Sequence, residues 1–353
     1  MKVLIVKVSA LGDVVHALPV LSWLKSADDD IEVDWLVEQG FAAILEDHPL
    51  LRRVVRLDTK AWRSQGVLAG FRAGMKKIRE LKSEAYDVVL DLQGNIKRGL
   101  FTRFSGAPLR YGFSRGCVRE WPNLLATNRK VALGEGDFHI SDRSLAIARA
   151  AFPAGSEVRT EGPLFVANTA EASVAATLND AGLIAAPVVV LHYGTTWNTK
   201  LWALSSWQEL AVRLIEERSL RPVLTWGNDN EHSAVQAIQA ACNGRCFIWP
   251  RGSLKELVAL LARADLVVGG DTGPIHIAAA VGTSTVSIFR VTDANRNAPR
   301  GVRHVALQSQ LNCSPCMKKS CDMDVECGTS ISVDSVAEAI FRLLPVDKGS
   351  NLQ

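Results

Sequence analysis

Hydrophobic residues in the first half of the chain alternate between short β-branched runs and stretches with helical spacing. The runs predict strands, and apolar residues three and four positions apart predict helices over Val14–Lys25 and Phe71–Leu81. Alternation of this kind is typical of a parallel sheet covered by helices on both faces. The predicted strands are VLIV from residue 3, IEVDWLV from residue 31, VVRL from residue 54 and YDVVLDLQG from residue 86.

The second half repeats this pattern. After Phe152 a segment rich in Pro, Gly and polar residues predicts a domain boundary. We therefore expect an N-terminal domain over 1–160, a C-terminal domain over 161–332 and a closing helix and tail over 333–353, with two doubly wound α/β domains facing each other across a cleft. The predicted strands are VVVLHYG, PVLTWG, CFIWP, ADLVVGGD and STVSIF, and the predicted helices are Trp207–Glu217, Glu231–Ala241, Leu254–Ala262 and Val333–Leu344.

Length and composition suit a soluble two-domain protein, with 353 residues of which 48% are hydrophobic. No apolar run approaches the roughly 18 residues of a spanning helix, so the sequence predicts a cytoplasmic protein without a signal peptide. The net charge of +3 is small, and the position of the positive charge matters more than its total.

Positive charge is concentrated between residues 97 and 119, where there is no acidic residue. The stretch is either a solvated face or, because glycines and aromatics separate the arginines, a set of loops that present guanidinium groups to phosphate or carboxylate. Nucleic acid and anionic lipid are both possible partners on this evidence. The residues are Lys97, Arg98, Arg103, Arg110, Arg115 and Arg119, and a second cluster upstream contains Lys60, Arg63, Arg72, Lys76, Lys77, Arg79 and Lys82.

Asp13 follows the first strand and a glycine, directly before an apolar helical run. In an open α/β sheet the turn after the carboxyl end of a strand faces the ligand crevice. The carboxylate is therefore either a helix cap or a working group, and this stretch favours neither.

Three loops of the second half carry candidate ligands for a phosphorylated compound. In GGDTGPIH, Asp271, Thr272, Gly273 and His276 lie around a predicted helix start, where free N–H groups bind anions, although a plain capped helix would look the same. The loop GTTWNTK offers the Thr195 and Thr196 hydroxyls and the Lys200 ammonium, which suit a diphosphate leaving group. Glu231, in WGNDNEH, is either a helix-start carboxylate or a ligand for a ribose diol.

The absence of common nucleotide-binding motifs narrows the class of enzyme that the sequence can encode. Neither a G-x-G-x-x-G after the first strand nor a P-loop is present, so dinucleotide oxidoreductases and P-loop enzymes lose support. No convincing D-x-D pair exists for a metal-bridged sugar nucleotide, because Asp28, Asp29 and Asp30 lie in a predicted surface turn. A transferase without metal or other cofactor fits better. Four cysteines, Cys313, Cys316, Cys321 and Cys327, crowd into 15 residues and form either a reduced, packed loop or a structural zinc site.

Six segments together resemble the lipopolysaccharide heptosyltransferases of glycosyltransferase family 9: KVSALGDVVHALPVL, DLQGNIKRG, REWPNLLATNRKV, TTWNTKLW, WGNDNEH and DTGPIHIAAAVG. The likeness covers nearly the whole chain. It implies the GT-B architecture of two Rossmann-like domains, with the acceptor bound by the first domain and ADP-heptose by the second. The likeness is greatest to family members that transfer L-glycero-D-manno-heptose to Kdo of Kdo₂-lipid A, with inversion at the anomeric carbon.

The resemblance also implies roles for individual residues. Asp13 would be the general base. Thr195, Thr196 and Lys200 would bind the diphosphate and donor sugar, Glu231 the adenosine ribose, and Asp271, Thr272, Gly273 and His276 the phosphates and heptose. The acceptor would be bound by Lys97, Arg98, Arg103, Arg115 and Arg119 through Kdo carboxylates and lipid A phosphates, which excludes nucleic acid as a partner and implies peripheral contact with the cytoplasmic face of the inner membrane.

Two alternative functions stay open. The chain could act on an already heptosylated acceptor, because family members with that activity share the four-cysteine segment. A non-catalytic module that binds lipid A or a nucleotide could use the same fold, although such a module would have no need of a base.

Overall fold

The computed structural model describes residues 1–156, 164–184 and 186–344. The chain divides into two compact units, Met1–Phe165 and Val166–Gln353. The boundary predicted after residue 160 falls outside the described residues, as does the tail from residue 345. The predicted α/β fold class is confirmed, because each unit is a six-stranded parallel sheet with helices.

In the first unit the strand order is β3-β2-β1-β4-β5-β6. The central strand β1 is fully buried from Val3 to Val6 and pairs in parallel with β2 and β4. A run of four apolar residues is long enough for a strand buried on both faces, which is why this strand could be predicted. The strands are β1 Lys2–Val6, β2 Glu32–Glu38, β3 Arg53–Leu57, β4 Val88–Asp91, β5 Leu109–Phe113 and β6 Arg129–Val131.

The helices of the first unit differ from prediction in two places. The helix expected over Val14–Lys25 is two helices, because Pro19 lacks a backbone N–H and starts a new helix at its first position. The helix expected over Phe71–Leu81 extends over Val67–Ser83. The helices are α1 Leu11–Val15, α2 Pro19–Ala27, α3 Thr59–Ser64, α4 Val67–Ser83, α5 Ile96–Phe104 and α6 Ile140–Ala151, with 3₁₀ helices at Gln39–Ile44 and Trp121–Leu125.

The prediction that residues 97–119 form loops is wrong. They contribute most of α5 and all of β5. The Asn95 side chain caps α5 by accepting a hydrogen bond from the Arg98 N–H at 3.0 Å. Gly99 is required inside α5, since a Cβ there would lie 2.6 Å from the amide nitrogen of buried Asn123.

One buried acidic residue joins β2, β3 and the start of β4. Asp34 is fully buried and accepts a hydrogen bond from the Tyr86 hydroxyl at 2.5 Å. The same carboxylate pairs with Arg52 at 2.6 Å and Arg53 at 3.2 Å. Burial, together with the Asp34 carboxylate, raises the pKa of Tyr86 far above its usual value, so the phenol remains a donor.

The second unit repeats the architecture with the strand order β12-β11-β10-β7-β8-β9. The five predicted strands are present, and the edge strand β12 was not predicted. The predicted closing helix is α14, which packs against α8. The strands are β7 Val189–His192, β8 Val223–Thr225, β9 Phe247–Ile248, β10 Leu266–Gly270, β11 Ser284–Phe289 and β12 His304–Gln308.

The helices of this unit cover both faces of its sheet. Leu210, Leu214 and Ile340 from α8 and α14 are buried in one hydrophobic cluster with β7 and β10. Within the described residues, no helix is long and apolar enough to span a bilayer. The helices are α7 Asn168–Asp180, α8 Leu204–Arg218, α9 Asp229–Ala241, α10 Leu254–Arg263, α11 Gly273–Ala280, α12 Ala294–Asn297, α13 Asp324–Thr329 and α14 Val333–Leu343, with a 3₁₀ helix at Asn198–Lys200.

Candidate active site

The three candidate loops of the second unit lie side by side at one edge of its sheet. The strands β10, β7 and β8 are neighbours, with Gly269 opposite His192 and His192 opposite Thr225. Since all three strands are parallel, the loops that follow them share the carboxyl edge, which is where open α/β sheets bind ligands.

Asp271 is the centre of this edge. Its side chain is 7% exposed, and Oδ2 accepts a hydrogen bond from Lys200 Nζ at 2.7 Å while Oδ1 lies 3.1 Å from His276 Nε2. Asn297 adds a longer contact of 3.5 Å to Oδ2. Burial alone would raise the pKa of Asp271, but the hydrogen bond from His276 and the charge of Lys200 hold it well below its usual range. The carboxylate is therefore ionised throughout the physiological range.

Residues 272–274 form the start of α11. Thr272 is the N-cap residue, but its hydroxyl donates to the Gly270 carbonyl at 3.3 Å and does not cap the helix. Pro274, in the first turn, has no N–H and is preorganised for the helix. The backbone N–H groups at this end receive no side-chain cap, so the helix dipole and its donors can face an anion.

The loop after β7 supplies a polar atom that suits a ligand. The Thr195 hydroxyl is buried and has no hydrogen-bond partner among the residues that the structure describes. Thr196, next to it, is exposed. A buried hydroxyl without a hydrogen-bond partner destabilises the folded protein. A bound phosphate oxygen that accepts its hydrogen bond would remove that penalty.

Glu231 has a local structural role as well as a candidate binding role. Its Oε2 accepts a hydrogen bond from the Gly227 N–H at 2.7 Å, and its Oε1 accepts one from the Asn228 amide at 2.7 Å. Asn228 in turn caps α9 through the Glu231 N–H at 3.1 Å. A Cβ at Gly194 would lie 2.3 Å from Oε2, so the carboxylate occupies the space beside the end of β7.

Asp13 lies in the first turn of α1, in the other unit. Its Oδ2 accepts a hydrogen bond from the Ala10 N–H at 3.0 Å, which is a helix-capping contact, and the residue is partly exposed. Gln93, for which no motif implied a role, holds the loop before Asp13. Gln93 accepts from the Val8 and Ser9 N–H groups at 2.8 and 3.1 Å and donates to the Ser9 carbonyl at 2.9 Å.

The basic residues of 97–119 differ in burial. Lys97, Arg103, Arg115 and Arg119 are exposed, whereas Arg98 is partly buried and lies 3.4 Å from Glu38. Burial lowers the pKa of Arg98, and Glu38 opposes that effect.

Lys97 and Arg98 line a cavity of about 450 Å³ in the first unit. Arg63, from the upstream basic cluster, is a third cation in its wall, and Trp62 and Val67 contribute apolar surface. The combination of several cations with apolar walls suits an anionic amphiphile.

The four crowded cysteines are free thiols in the structure. Only Cys327 of the four is buried, and its Sγ donates weakly to the Arg290 carbonyl at 3.8 Å. In the described part of the chain no group of three or more His, Cys, Asp or Glu side chains is arranged to hold a metal ion. Cys327 lies in α13, whereas Cys313 is exposed and Cys316 and Cys321 are partly buried.

Two doubly wound units, one of which has a polar strand edge suited to an anion, match the GT-B fold class of solved heptosyltransferase structures. The chain is similar to Escherichia coli heptosyltransferase WaaC with ADP-2-deoxy-2-fluoro heptose, with a TM-score of 0.76 and 26% identity over 97% of this chain and 99% of that one. E. coli ADP-heptose LPS heptosyltransferase II shares the fold, with a TM-score of 0.75 and 19% identity over 98% of each chain.

The family model for glycosyltransferase family 9 (heptosyltransferase) matches residues 75–325. Lipopolysaccharide heptosyltransferase 1 of Pseudomonas aeruginosa is 34% identical over 324 residues, which cover 91% of this chain and 87% of that protein. The protein of the same name from E. coli K12 is 32% identical over 301 residues, 83% of this chain and 89% of that one. The chain belongs to glycosyltransferase family 9. It is a glycosyltransferase, and the resemblance found in its motifs is confirmed.

Proposed function

We propose that the chain transfers L-glycero-D-manno-heptose from ADP-heptose to Kdo of Kdo₂-lipid A, with inversion at the anomeric carbon. The observation that carries the donor half is the shared edge of β10, β7 and β8, where Lys200, Asp271 and the start of α11 accompany the unpartnered Thr195 hydroxyl. This set of donors suits a diphosphate. Likeness to the two enzymes named lipopolysaccharide heptosyltransferase 1 supports the choice of sugar and acceptor.

In the proposed reaction Asp13 is the base. The acceptor hydroxyl forms the new C–O bond at the anomeric carbon and gives its proton to the Asp13 carboxylate. The bond from the anomeric carbon to the phosphate oxygen breaks, and ADP leaves with the electron pair. Lys200 and the N–H groups of α11 stabilise the charge that develops on the leaving diphosphate. The residues provide a base and a leaving-group site without a cofactor.

A comparison of two substitutions tests the base. Asp13→Asn keeps a side-chain oxygen for the Ala10 N–H, so it should fold like the parent, bind ADP-heptose normally and lose roughly 10²–10⁴ in turnover. Asp13→Ala should show a similar loss of turnover and also lose about 1 kcal/mol of stability. Near-parental turnover of the Asn variant would show that Asp13 is a cap alone.

The cavity near Lys97 supports the acceptor half of the proposal. Three cations and an apolar wall would meet the carboxylates, phosphates and acyl chains of an anionic lipid. Transfer of label from ADP-[¹⁴C]heptose to Kdo₂-lipid A or to heptosyl-Kdo₂-lipid A tests this choice. Labelling of the first alone supports the proposal, labelling of the second alone indicates heptosyltransferase II activity, and labelling of neither indicates a binding module.

We also propose that the first unit contacts the cytoplasmic face of the inner membrane, where this acceptor would lie. Large apolar side chains are exposed on α4 and on α5, which packs beside it. On α5 they recur every four residues and so share one face, with Lys97 and Arg103 exposed on the same helix. Apolar groups interspersed with cations suit an anionic bilayer surface. The exposed side chains are Val67, Leu68 and Phe71 on α4 and Ile96, Leu100 and Phe104 on α5.

Vesicle sedimentation tests the membrane contact. Leu100→Ser with Phe104→Ser should weaken binding to vesicles that contain anionic lipid. The control is Val302→Ser, because Val302 is also an apolar side chain and is 97% exposed but lies in the second unit. Charge reversal at Lys97 and Arg103 should flatten the salt dependence of binding. Equal binding by all variants would mean that these residues form an ordinary solvated face.

A further inference from the structure

A loop that no motif assigned to the donor site is attached to the donor edge. The Cys316 and Met317 N–H groups both donate to the Val291 carbonyl, at 3.1 and 2.9 Å. The Ser314 hydroxyl donates to the Arg290 carbonyl at 2.7 Å. Arg290 and Val291 directly follow β11, which pairs with β10, so residues 314–317 are held at the carboxyl edge that carries Asp271.

The next residues of this loop contact the loop of Lys200. The Thr199 hydroxyl donates to the Lys318 carbonyl at 2.8 Å. The Lys319 ammonium lies 4.9 Å from the ring centroid of Trp197, and the Lys200 ammonium lies 5.1 Å from the same centroid. The two ammonium nitrogens are therefore at most about 10 Å apart, one from each loop.

The charges of the two lysines are compensated differently. Lys200 is 14% exposed and paired with Asp271, so the pair is close to neutral before any ligand binds. Lys319 is exposed and pairs with no carboxylate of the described residues. Its charge partly faces the π system of Trp197, an interaction worth less than an ion pair with a phosphate.

A nucleoside diphosphate carries at least two negative charges at neutral pH, and the neutralised pair of Lys200 and Asp271 offers little net charge against them. We propose that Lys319 is a second cation for the donor diphosphate, positioned by the contact of its loop with Thr199 and by the ring of Trp197. This inference rests on the proposed donor site. It adds the 314–319 loop to that site and makes Lys319 a diphosphate-binding residue.

The test compares two neighbouring lysines. Lys319→Ala should raise the Kd for ADP about tenfold, as expected for loss of one charge-assisted contact, and leave the Kd for adenosine unchanged. Lys318→Ala is the matched control, because Lys318 contacts Thr199 only through its backbone carbonyl and its side chain is exposed. Lys319→Arg should restore most of the ADP affinity, since it keeps the charge. Titration calorimetry at low and high salt measures each constant, and thermal unfolding checks that all variants fold.

Each outcome decides something. A tenfold loss specific to Lys319→Ala and to ADP, smaller at high salt, supports the inference. Equal ADP affinity in Lys319→Ala and the parent, or equal losses in the two alanine variants, overturns it while the donor site itself stands. Failure of the parent to bind ADP would overturn both this inference and the proposed function.

Discussion

Substitution of Asp271 by Asn tests the electrostatics of the donor edge without a large change of shape. The parent carboxylate is 7% exposed and Lys200 is 14% exposed, so water screens their interaction little. Removal of one partner from a buried pair costs about 3–5 kcal/mol, because the remaining charge stays buried and uncompensated. Asn retains one oxygen acceptor for His276 or Lys200, so we expect Asp271→Asn to lower the free energy of unfolding by about 3 kcal/mol, the lower end of this range.

The pH dependence gives a second, independent signature. The pKa of Asp271 is depressed in the folded protein, so its contribution is complete above the ordinary carboxyl pKa of about 4 and is lost as the pH falls toward the folded value. The contribution of the Asp271 carboxylate to the stability difference between the parent and Asp271→Asn should therefore be complete at pH 7. Below about pH 4 the difference should narrow, because the Asp271 carboxylate of the unfolded parent chain then takes up a proton while the folded one stays ionised.

Amide hydrogen exchange of β10 and α11 measures this stability difference, because it reports the opening free energy of the second unit separately from that of the first. A chain with two compact units need not unfold in one step, which makes a global midpoint harder to interpret. A difference below about 0.5 kcal/mol at pH 7 would refute the reasoning, since that is the range of surface substitutions. A stability difference between the parent and Asp271→Asn that widens below about pH 4 would also refute the reasoning, because proton linkage requires this difference to narrow there.

Three further predictions concern other parts of the chain. Glu231→Ala should raise the KM for ADP-heptose with a smaller effect on kcat, and Gly194→Ala, whose Cβ would displace the same carboxylate, should reproduce the change in steady-state kinetics; a loss in kcat alone would contradict the ribose contact. Asp34→Ala should cost the first unit about 3–5 kcal/mol in urea unfolding, because two arginines lose a buried carboxylate, and a loss under 1 kcal/mol would contradict this. Gly99→Ala should lower stability by about 1–3 kcal/mol through overpacking, whereas Gly74→Ala in α4, where a Cβ meets nothing within 4 Å, should raise it by about 0.5–1 kcal/mol; equal effects would contradict the packing argument.

The buried strands could be predicted from the sequence because local composition determines them. A run such as that from Val3 to Val6 is entirely apolar and mostly β-branched, so it suits only a buried strand or helix core, and its short length favours a strand. The edge strand β12 has only partly buried and exposed residues, and its sequence therefore carries no comparable apolar run.

The basic stretch could not be interpreted correctly without tertiary information. Gly99 indicates a loop by propensity, but the structure uses it inside α5 because Asn123 approaches the helix there. That asparagine is 24 residues away in the sequence, and no local pattern connects the two positions.

Local contacts of the candidate site could be predicted from the sequence, whereas contacts between distant residues could not. Asn228 and Glu231 have the three-residue spacing of a capping box, and the structure shows one of its two hydrogen bonds, from the Glu231 N–H to the Asn228 side chain. The Glu231 carboxylate instead accepts from the Asn228 side-chain amide and the Gly227 N–H. The pairing of Lys200 with Asp271 was not predictable, since the two residues are 71 positions apart and meet only because β7 and β10 are neighbours.

The three hydrogen bonds of Gln93 have a consequence for inactivation by heat. They attach the segment at Val8 and Ser9, and hence Asp13, to the end of β4 through a single side chain. In Gln93→Leu this segment should open locally at a temperature where the rest of the sheet is still folded. Transferase activity would then disappear below the melting temperature seen by circular dichroism, whereas in the parent the two temperatures should coincide. Coincidence in both proteins would mean that the loop keeps its position by other contacts.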